Sequence, residues 1–154
     1  MYNHAPVDYQ NPFAKIVAGD FAAVVIDADE VFYQDDVATA FISSKCWPGN
    51  EGNVLIIPSE VYENLYDIPD EVLAHIHVLS KQIAIAMRAT YGCDGVSVRQ
   101  HNEPAGNQEV WHYHLHVFPR YNGDQLYQRH DEKTDSTPTD RKKYAALLRD
   151  QLSN

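Results

Sequence analysis

The sequence predicts an α+β fold built as one domain, and three observations carry that prediction. From Val110 to Tyr121 the chain alternates His112, His114 and His116 with Tyr113, Leu115 and Val117, which is the two-residue period of a β-strand. From Asp67 to Tyr91 apolar residues recur every three or four positions, the stripe of a long helix that faces a core. Short runs of branched residues, bounded by Gly, Pro, Asn and Asp, occupy much of the remainder, as strands between turns do. A chain of 154 residues is long enough to bury one sizeable core.

Residues 1 to 10 read as an irregular arm, lacking the basic start and apolar run of a signal peptide. Asn11 to Gly19 predicts a short helix, with Asn11 as N-cap, Pro12 in the first turn and Gly19 as the stop. Ala22 to Asp27, Val31 to Gln34 and Val37 to Ser43 read as strands separated by acidic turns. Trp47 to Gly52 is a loop by composition, and Asn53 to Pro58 a short buried strand closed by proline. The long helix opens with Asp70 and Glu71 at its positive dipole end and stops at Gly92. Val72, Ile76, Leu79, Ile83 and Met87 form its stripe, while His75 and His77 read as ordinary helix residues.

Cys93 to His101 predicts a strand that pairs with the histidine strand as an antiparallel hairpin. Pro119 is expected to end the histidine strand. Residues 122 to 154 read as a turn at Asn122-Gly123, a polar surface loop, and a last helix over Thr139 to Leu152.

Composition limits the function. A net charge of −10 argues against general nucleic-acid binding, which needs a basic patch. It leaves room for a small anionic ligand in a locally positive site. Cys46 and Cys93 form no Cys-x-x-Cys pair, and isolated thiols suit a cytoplasmic setting. No apolar run approaches the ~20 residues of a membrane helix.

Three imidazoles on one strand face, roughly 6.6 Å apart per pair of residues, admit three readings. The face is a polar surface by chance. It supplies two zinc ligands as His-x-His, with further ligands from elsewhere. Or it handles phosphate, since neutral imidazole attacks or accepts protons and imidazolium donates to an anion.

The residues also carry a resemblance. His112-x-His114-x-His116, with apolar residues between and after, resembles the signature of the histidine triad family. Pro119-Arg120 resembles the ending found in its diadenosine polyphosphate hydrolase branch and in many bacterial members. Gln108 matches the Gln of Gly-Gln-x-Val-x-His, with Asn107 standing between it and Gly106. Gly52 to Pro58 is similar to Gly-His-x-Leu-x-x-Pro, with Asn53 replacing the histidine. The Asn11 segment resembles Cys-x-x-Cys-Lys-Ile-x-x-Gly, but Asn11 and Ala14 stand where zinc-binding cysteines would be and Val61 where a further zinc histidine would be. No structural zinc is expected.

The resemblance implies an antiparallel sheet of about five strands, one long helix and short terminal helices. It implies a homodimer and a purine nucleotide substrate. The reaction it implies is cleavage at the α-phosphate of nucleotide phosphoramidates or dinucleoside polyphosphates through a nucleotidyl-histidine, without metal or cofactor. On that pattern His114 is the nucleophile, with its second nitrogen held by an acceptor such as a backbone carbonyl. His112 and His116 hold phosphate oxygens or orient the ring, and Gln108 bonds a phosphate or bridging oxygen. Ala40 to Ser43 resembles Ala-Phe-x-Asp/Asn, whose last residue grips the ribose; the Ser43 hydroxyl makes one such bond but no bidentate grip. Asn102 resembles an Asn before the triad loop, or is a turn residue. Phe41 and Tyr33 frame a base pocket, or belong to the core. Glu109, where the family often has Ser or Thr, is placed by strand parity away from the histidine face, with Arg120 as candidate partner. A non-catalytic nucleotide-binding protein on the same fold is the alternative function.

Overall fold

The computed structural model describes residues 2–153, and of His130 the main chain alone. Five strands form one antiparallel sheet: β1 (Val31–Gln34), β2 (Ala38–Ile42), β4 (Val54–Pro58), β5 (Gly95–Gln100) and β6 (Leu115–Arg120), in the spatial order β1-β2-β4-β6-β5. A separate two-residue pair joins β3 (Lys45–Cys46) to β7 (Thr134–Asp135). The helices are α1 (Pro12–Val17), α2 (Asp70–Tyr91) and α3 (Pro138–Leu152).

The sheet has two differently dressed faces because side chains alternate along each strand. Ala38, Ala40, Ile42, Val54, Ile56, Leu115 and Val117 meet α2 and α3. There α2 contributes Ile76, Leu79, Ile83 and Met87, each at most 1% exposed. Burying each such side chain stabilises the fold by roughly 1.5–3 kcal/mol. The opposite face carries Phe41, Leu55 and Ile57, covered by Phe13 and Ile16 of α1 and by Ile26. Two covered faces explain why β2 and β4 are buried at every position and read as unbroken apolar runs.

The ends of the helices follow local chemistry. Asn11 Oδ1 accepts from the N–H groups of Phe13 and Ala14, capping α1. Gly92 adopts φ +67° after α2, a conformation glycine enters without a Cβ clash. Thr137 caps α3 by accepting from the Asp140 N–H. Arg141 of α3, 3% exposed, donates through Nε at 2.7 Å to fully buried Glu30 just before β1.

Several expectations need correction. Ala22 to Asp27 is not a strand; Phe21–Ala23 is a 3-10 turn and no strand pairs with the following residues. Tertiary packing overrides propensity there, since Ile26 is drawn into the α1 cluster while Val25 stays 72% exposed. The histidine strand starts only at Leu115, because the Tyr113 N–H turns to the Tyr62 carbonyl at 2.6 Å and the His112 N–H to Val110 at 2.9 Å. Pro119 lies inside β6 rather than ending it. Its partner on one side is Val96 of β5, while β4 has already ended at Val54 opposite Val117. The missing N–H therefore breaks no ladder, and the Pro119 carbonyl takes the Asn50 amide at 2.9 Å. The polar loop after Asn122 is tied down by β7 and by Leu126, 2% exposed, packed with Trp47 and Phe118. No helix among the described residues is long and apolar enough to cross a membrane.

Candidate functional site

Cross-strand register assembles the site. Phe41 pairs with Leu55, Leu55 with His116, and His116 with Arg99. These four residues form one row across the sheet on the face that α2 does not cover. They floor a pocket of about 490 Å³, within the size range of small-molecule sites. One end is apolar, lined by Phe13, Ile16, Val24, Ile26, Phe41 and Leu55. The other is polar, lined by Ser43, Asn53, Arg99, His101, His114 and His116, with Lys45, Glu109 and Lys133 also contributing.

The three predicted histidines separate. His114 lines the pocket and is 5% exposed. Its Nδ1 lies 2.7 Å from the carbonyl of His112, the kind of acceptor expected for it. A carbonyl only accepts, so Nδ1 carries the proton and Nε2 keeps its lone pair. Burial pushes its pKa below the ordinary histidine value, so the ring stays neutral near pH 7. Phe13 packs edge-on against it at 5.2 Å.

His116 also lines the pocket, 5.0 Å from the His114 ring and stacked on Phe118 at 5.7 Å. Its Nδ1 is buried without a hydrogen-bond partner. Burial first, then the charges of His114, His101, Arg99 and Lys133, push its pKa well down.

His112 does not reach the pocket lining. It is 0% exposed, with Nε2 at 3.0 Å from the Pro58 carbonyl and Nδ1 at 3.1 Å from the Asn11 amide. Burial lowers its pKa to about 4. Both nitrogens are engaged inside the protein, so His112 has none left for a phosphate or for an ion shared with His114. The strand reading put all three rings on one face; the turn before Leu115 takes the first one inward.

Gln108 and Asn102 are likewise occupied by the chain itself. Gln108, 4% exposed, donates to the Glu63 carbonyl at 2.6 Å and the Val110 carbonyl at 3.0 Å, and accepts from the Glu103 N–H at 2.8 Å. Asn102 accepts from the Leu65 N–H at 2.8 Å and donates to Gln100. Neither lines the pocket. Phe41 and Ser43 do, with Ser43 Oγ accepting from the Lys45 N–H at 3.1 Å. Tyr33 sits with the α2 core cluster and donates to Asp35 at 2.6 Å, away from the pocket.

Glu109 reverses its expectation. It lines the pocket, and its partner is Lys133, at 3.0 Å, rather than Arg120, which pairs with Asp124 at 2.7 Å. Parity fails because Asn107, at φ +67°, ends a 3-10 turn and Glu109 lies in irregular chain.

Sequence reasoning missed Arg99, His101, Lys45 and Lys133 as pocket residues. Arg99 and His101 had a usable signal, since in a hairpin with the histidine strand alternate positions share one face. His101 Nδ1 meets the Gly106 carbonyl at 2.7 Å, and its ring lies 5.6 Å from that of His116. Lys133 arrives from a distant loop and had no local signal. The pocket is thus locally cationic on an acidic protein.

No cluster of three metal-binding side chains occurs among the described residues. The α1 segment does not fit a structural zinc: Ala14 offers no donor atom, and Asn11 spends its amide on the cap and on His112.

A family model described as the HIT domain matches residues 26–123. An uncharacterized HIT-like protein of Methanocaldococcus jannaschii is 33% identical over 113 residues, 73% of this chain and 80% of that protein. The adenosine 5′-monophosphoramidase of Saccharomyces cerevisiae is 40% identical over 116 residues, 75% of this chain and 66% of that protein. The crystal structure of a HIT-like protein of Bartonella henselae, involved in cell-cycle regulation, superposes with a TM-score of 0.77 at 29% identity, covering 96% of this chain and 99% of that one. The five-stranded sheet, the row that runs through His116 and these matches agree: the chain belongs to the histidine triad (HIT) family, some of whose members hydrolyse nucleotides.

Proposed function

We propose that the protein is a nucleotide hydrolase or transferase that cleaves at the α-phosphate through a nucleotidyl-histidine on His114. The observation that carries this reading is the His114 ring: Nδ1 is tied to the His112 carbonyl at 2.7 Å, and the ring is neutral and faces a cation-lined pocket. A neutral imidazole with one fixed tautomer is a prepared nucleophile. In the first step its Nε2 lone pair forms a bond to the α-phosphorus, and the bond to the leaving group breaks with its electron pair, which takes up a proton from solvent. In the second, water adds to phosphorus and loses a proton to solvent, the P–N bond breaks with its electron pair returning to Nε2, and the nucleoside monophosphate leaves with His114 neutral again.

The apolar end, with Phe13, Ile26 and Phe41, suits a purine base, and Ser43 lines the polar end beside the histidines. His116, whose Nδ1 meets no partner, can carry its proton on Nε2 and donate it to a phosphate oxygen as charge develops there. The reading gives no role at phosphorus to His112 or Gln108. His112 instead positions His114 through its own carbonyl, and Gln108 braces the loop.

The test is release of AMP from adenosine 5′-phosphoramidate and from a diadenosine polyphosphate, with EDTA present. Turnover by the native protein and loss of at least ~10³-fold in His114→Ala, with an unchanged fold, is the expected result. Full activity in that variant would end the reading. A second reading, nucleotide binding without turnover, draws on the Glu109 carboxylate in the pocket, which opposes an approaching phosphate. Calorimetric binding of AMP with neither substrate turned over would favour it.

A further inference from the structure

The pocket contains one cation whose purpose the reaction at His114 leaves open. Lys45 is paired with Asp135 at 2.5 Å and Lys133 with Glu109 at 3.0 Å. Arg99 has no carboxylate partner among the described residues, and its Nε is buried without a hydrogen bond. Burial pushes its pKa down, although a guanidinium remains charged. Aromatic faces hold it instead: Phe118 at 4.2 Å, Tyr127 at 5.4 Å and Trp47 at 5.7 Å. Such contacts fix the fork without satisfying its N–H groups. A half-buried guanidinium that is held in place but unneutralised is a prepared anion site.

Its position tells which anion. Leading into and along β6 the rings step from His114 to His116 at 5.0 Å and from His116 to Phe118 at 5.7 Å, and Arg99 lies over Phe118. Arg99 is the cross-strand partner of His116, and its guanidinium leans onto the next ring of the row, Phe118. The guanidinium therefore lies past His116 as seen from the reacting nitrogen. With His116 between them, Arg99 faces a group next to the one attacked at His114 rather than that group itself.

We propose that Arg99 seats a second anionic group, a phosphate of the leaving group beyond the one attacked, so that the preferred substrate carries a polyphosphate leaving group rather than an amine. This deepens the proposed function and rests on it for the identity of the attacked phosphate.

The experiment compares the native protein, Arg99→Gln and Arg99→Lys on diadenosine tetraphosphate and adenosine 5′-phosphoramidate, with EDTA. The expected result is that Arg99→Gln lowers the tetraphosphate-to-phosphoramidate ratio of kcat/KM by about 30-fold, the range of a lost hydrogen bond to a charged group. Most of the change falls in KM, and Arg99→Lys, which keeps the charge, recovers part of it. An unchanged ratio overturns the proposal. Equilibrium binding of AMP and ATP to the same three proteins separates this idea from the catalytic one. Tighter binding of ATP than AMP by the native protein, erased in Arg99→Gln and partly kept in Arg99→Lys, sustains the anion seat even if neither substrate turns over. Equal affinity for ATP and AMP in the native protein overturns it. Melting curves of both variants confirm that folded protein is compared.

Discussion

Replacing Asn11 by Ala is expected to destabilise the protein by about 2–4 kcal/mol, because one amide serves two structures. Its oxygen accepts from the Phe13 N–H at 3.0 Å and the Ala14 N–H at 3.2 Å, and its nitrogen meets His112 Nδ1 at 3.1 Å. Loss of an N-cap costs about 1 kcal/mol. Leaving the fully buried His112 nitrogen without a donor costs about 1–3 kcal/mol more. Two further substitutions divide the sum. Asn11→Ser keeps a capping oxygen but cannot reach His112, and should lose only the second part. Asn11→Asp keeps the cap and turns an acceptor toward Nδ1, which draws a second proton onto the ring and raises its pKa from about 4. Urea unfolding followed by tryptophan fluorescence gives the energies, and nitrogen-detected NMR of the His112 ring gives the titration. An Asn11→Ala protein within 0.5 kcal/mol of native, or an Asn11→Ser protein as unstable as Asn11→Ala, would refute the dual role. The effect matters for the site because α1 carries Phe13 and Ile16 into the pocket.

Acid should expose His112 in another way. Folded, it titrates at about 4; unfolded, it takes its proton near 6.5. The unfolded chain binds more protons between these values, so this contribution is intact above pH 6.5 and is lost as pH falls toward 4, by about 3 kcal/mol. Stability measured from pH 7 to 4 should therefore fall less steeply in His112→Gln than in the native protein, and parallel slopes would contradict the assignment. Arg141→Met strands the Glu30 carboxylate, whose side chain is 0% exposed. A loss of about 3–5 kcal/mol is expected, with most of it recovered when Glu30→Gln is added. A loss under 1 kcal/mol in urea titrations would show that the pair does not anchor α3.

What the sequence determined by itself is what depends on neighbours within a turn or two. The α2 stripe, the Gly92 stop, the Asn11 cap and the hairpin of β5 with β6 are all set by local spacing and backbone preference. So is the alternation from Leu115 to Phe118, which puts His116 on one face and Leu115 and Val117 on the other. The backbone acceptor for the His114 ring was legible for the same reason, since it is the carbonyl only two residues away.

Tertiary structure alone decided the rest, because the deciding partners are far along the chain. His112 turns inward because Asn11 and the Pro58 carbonyl meet it. Gln108 is taken up by Glu63, and Glu109 is drawn to Lys133. Ile26 leaves an expected strand to complete the α1 cluster. Arg99 becomes a pocket cation only when the register of two antiparallel pairs sets it beside His116, in the row that Leu55 continues on the other side. Spacing along a chain fixes which way a side chain points relative to its neighbours. Only the closed fold fixes what it then meets, and at a buried polar residue that meeting determines charge, tautomer and role.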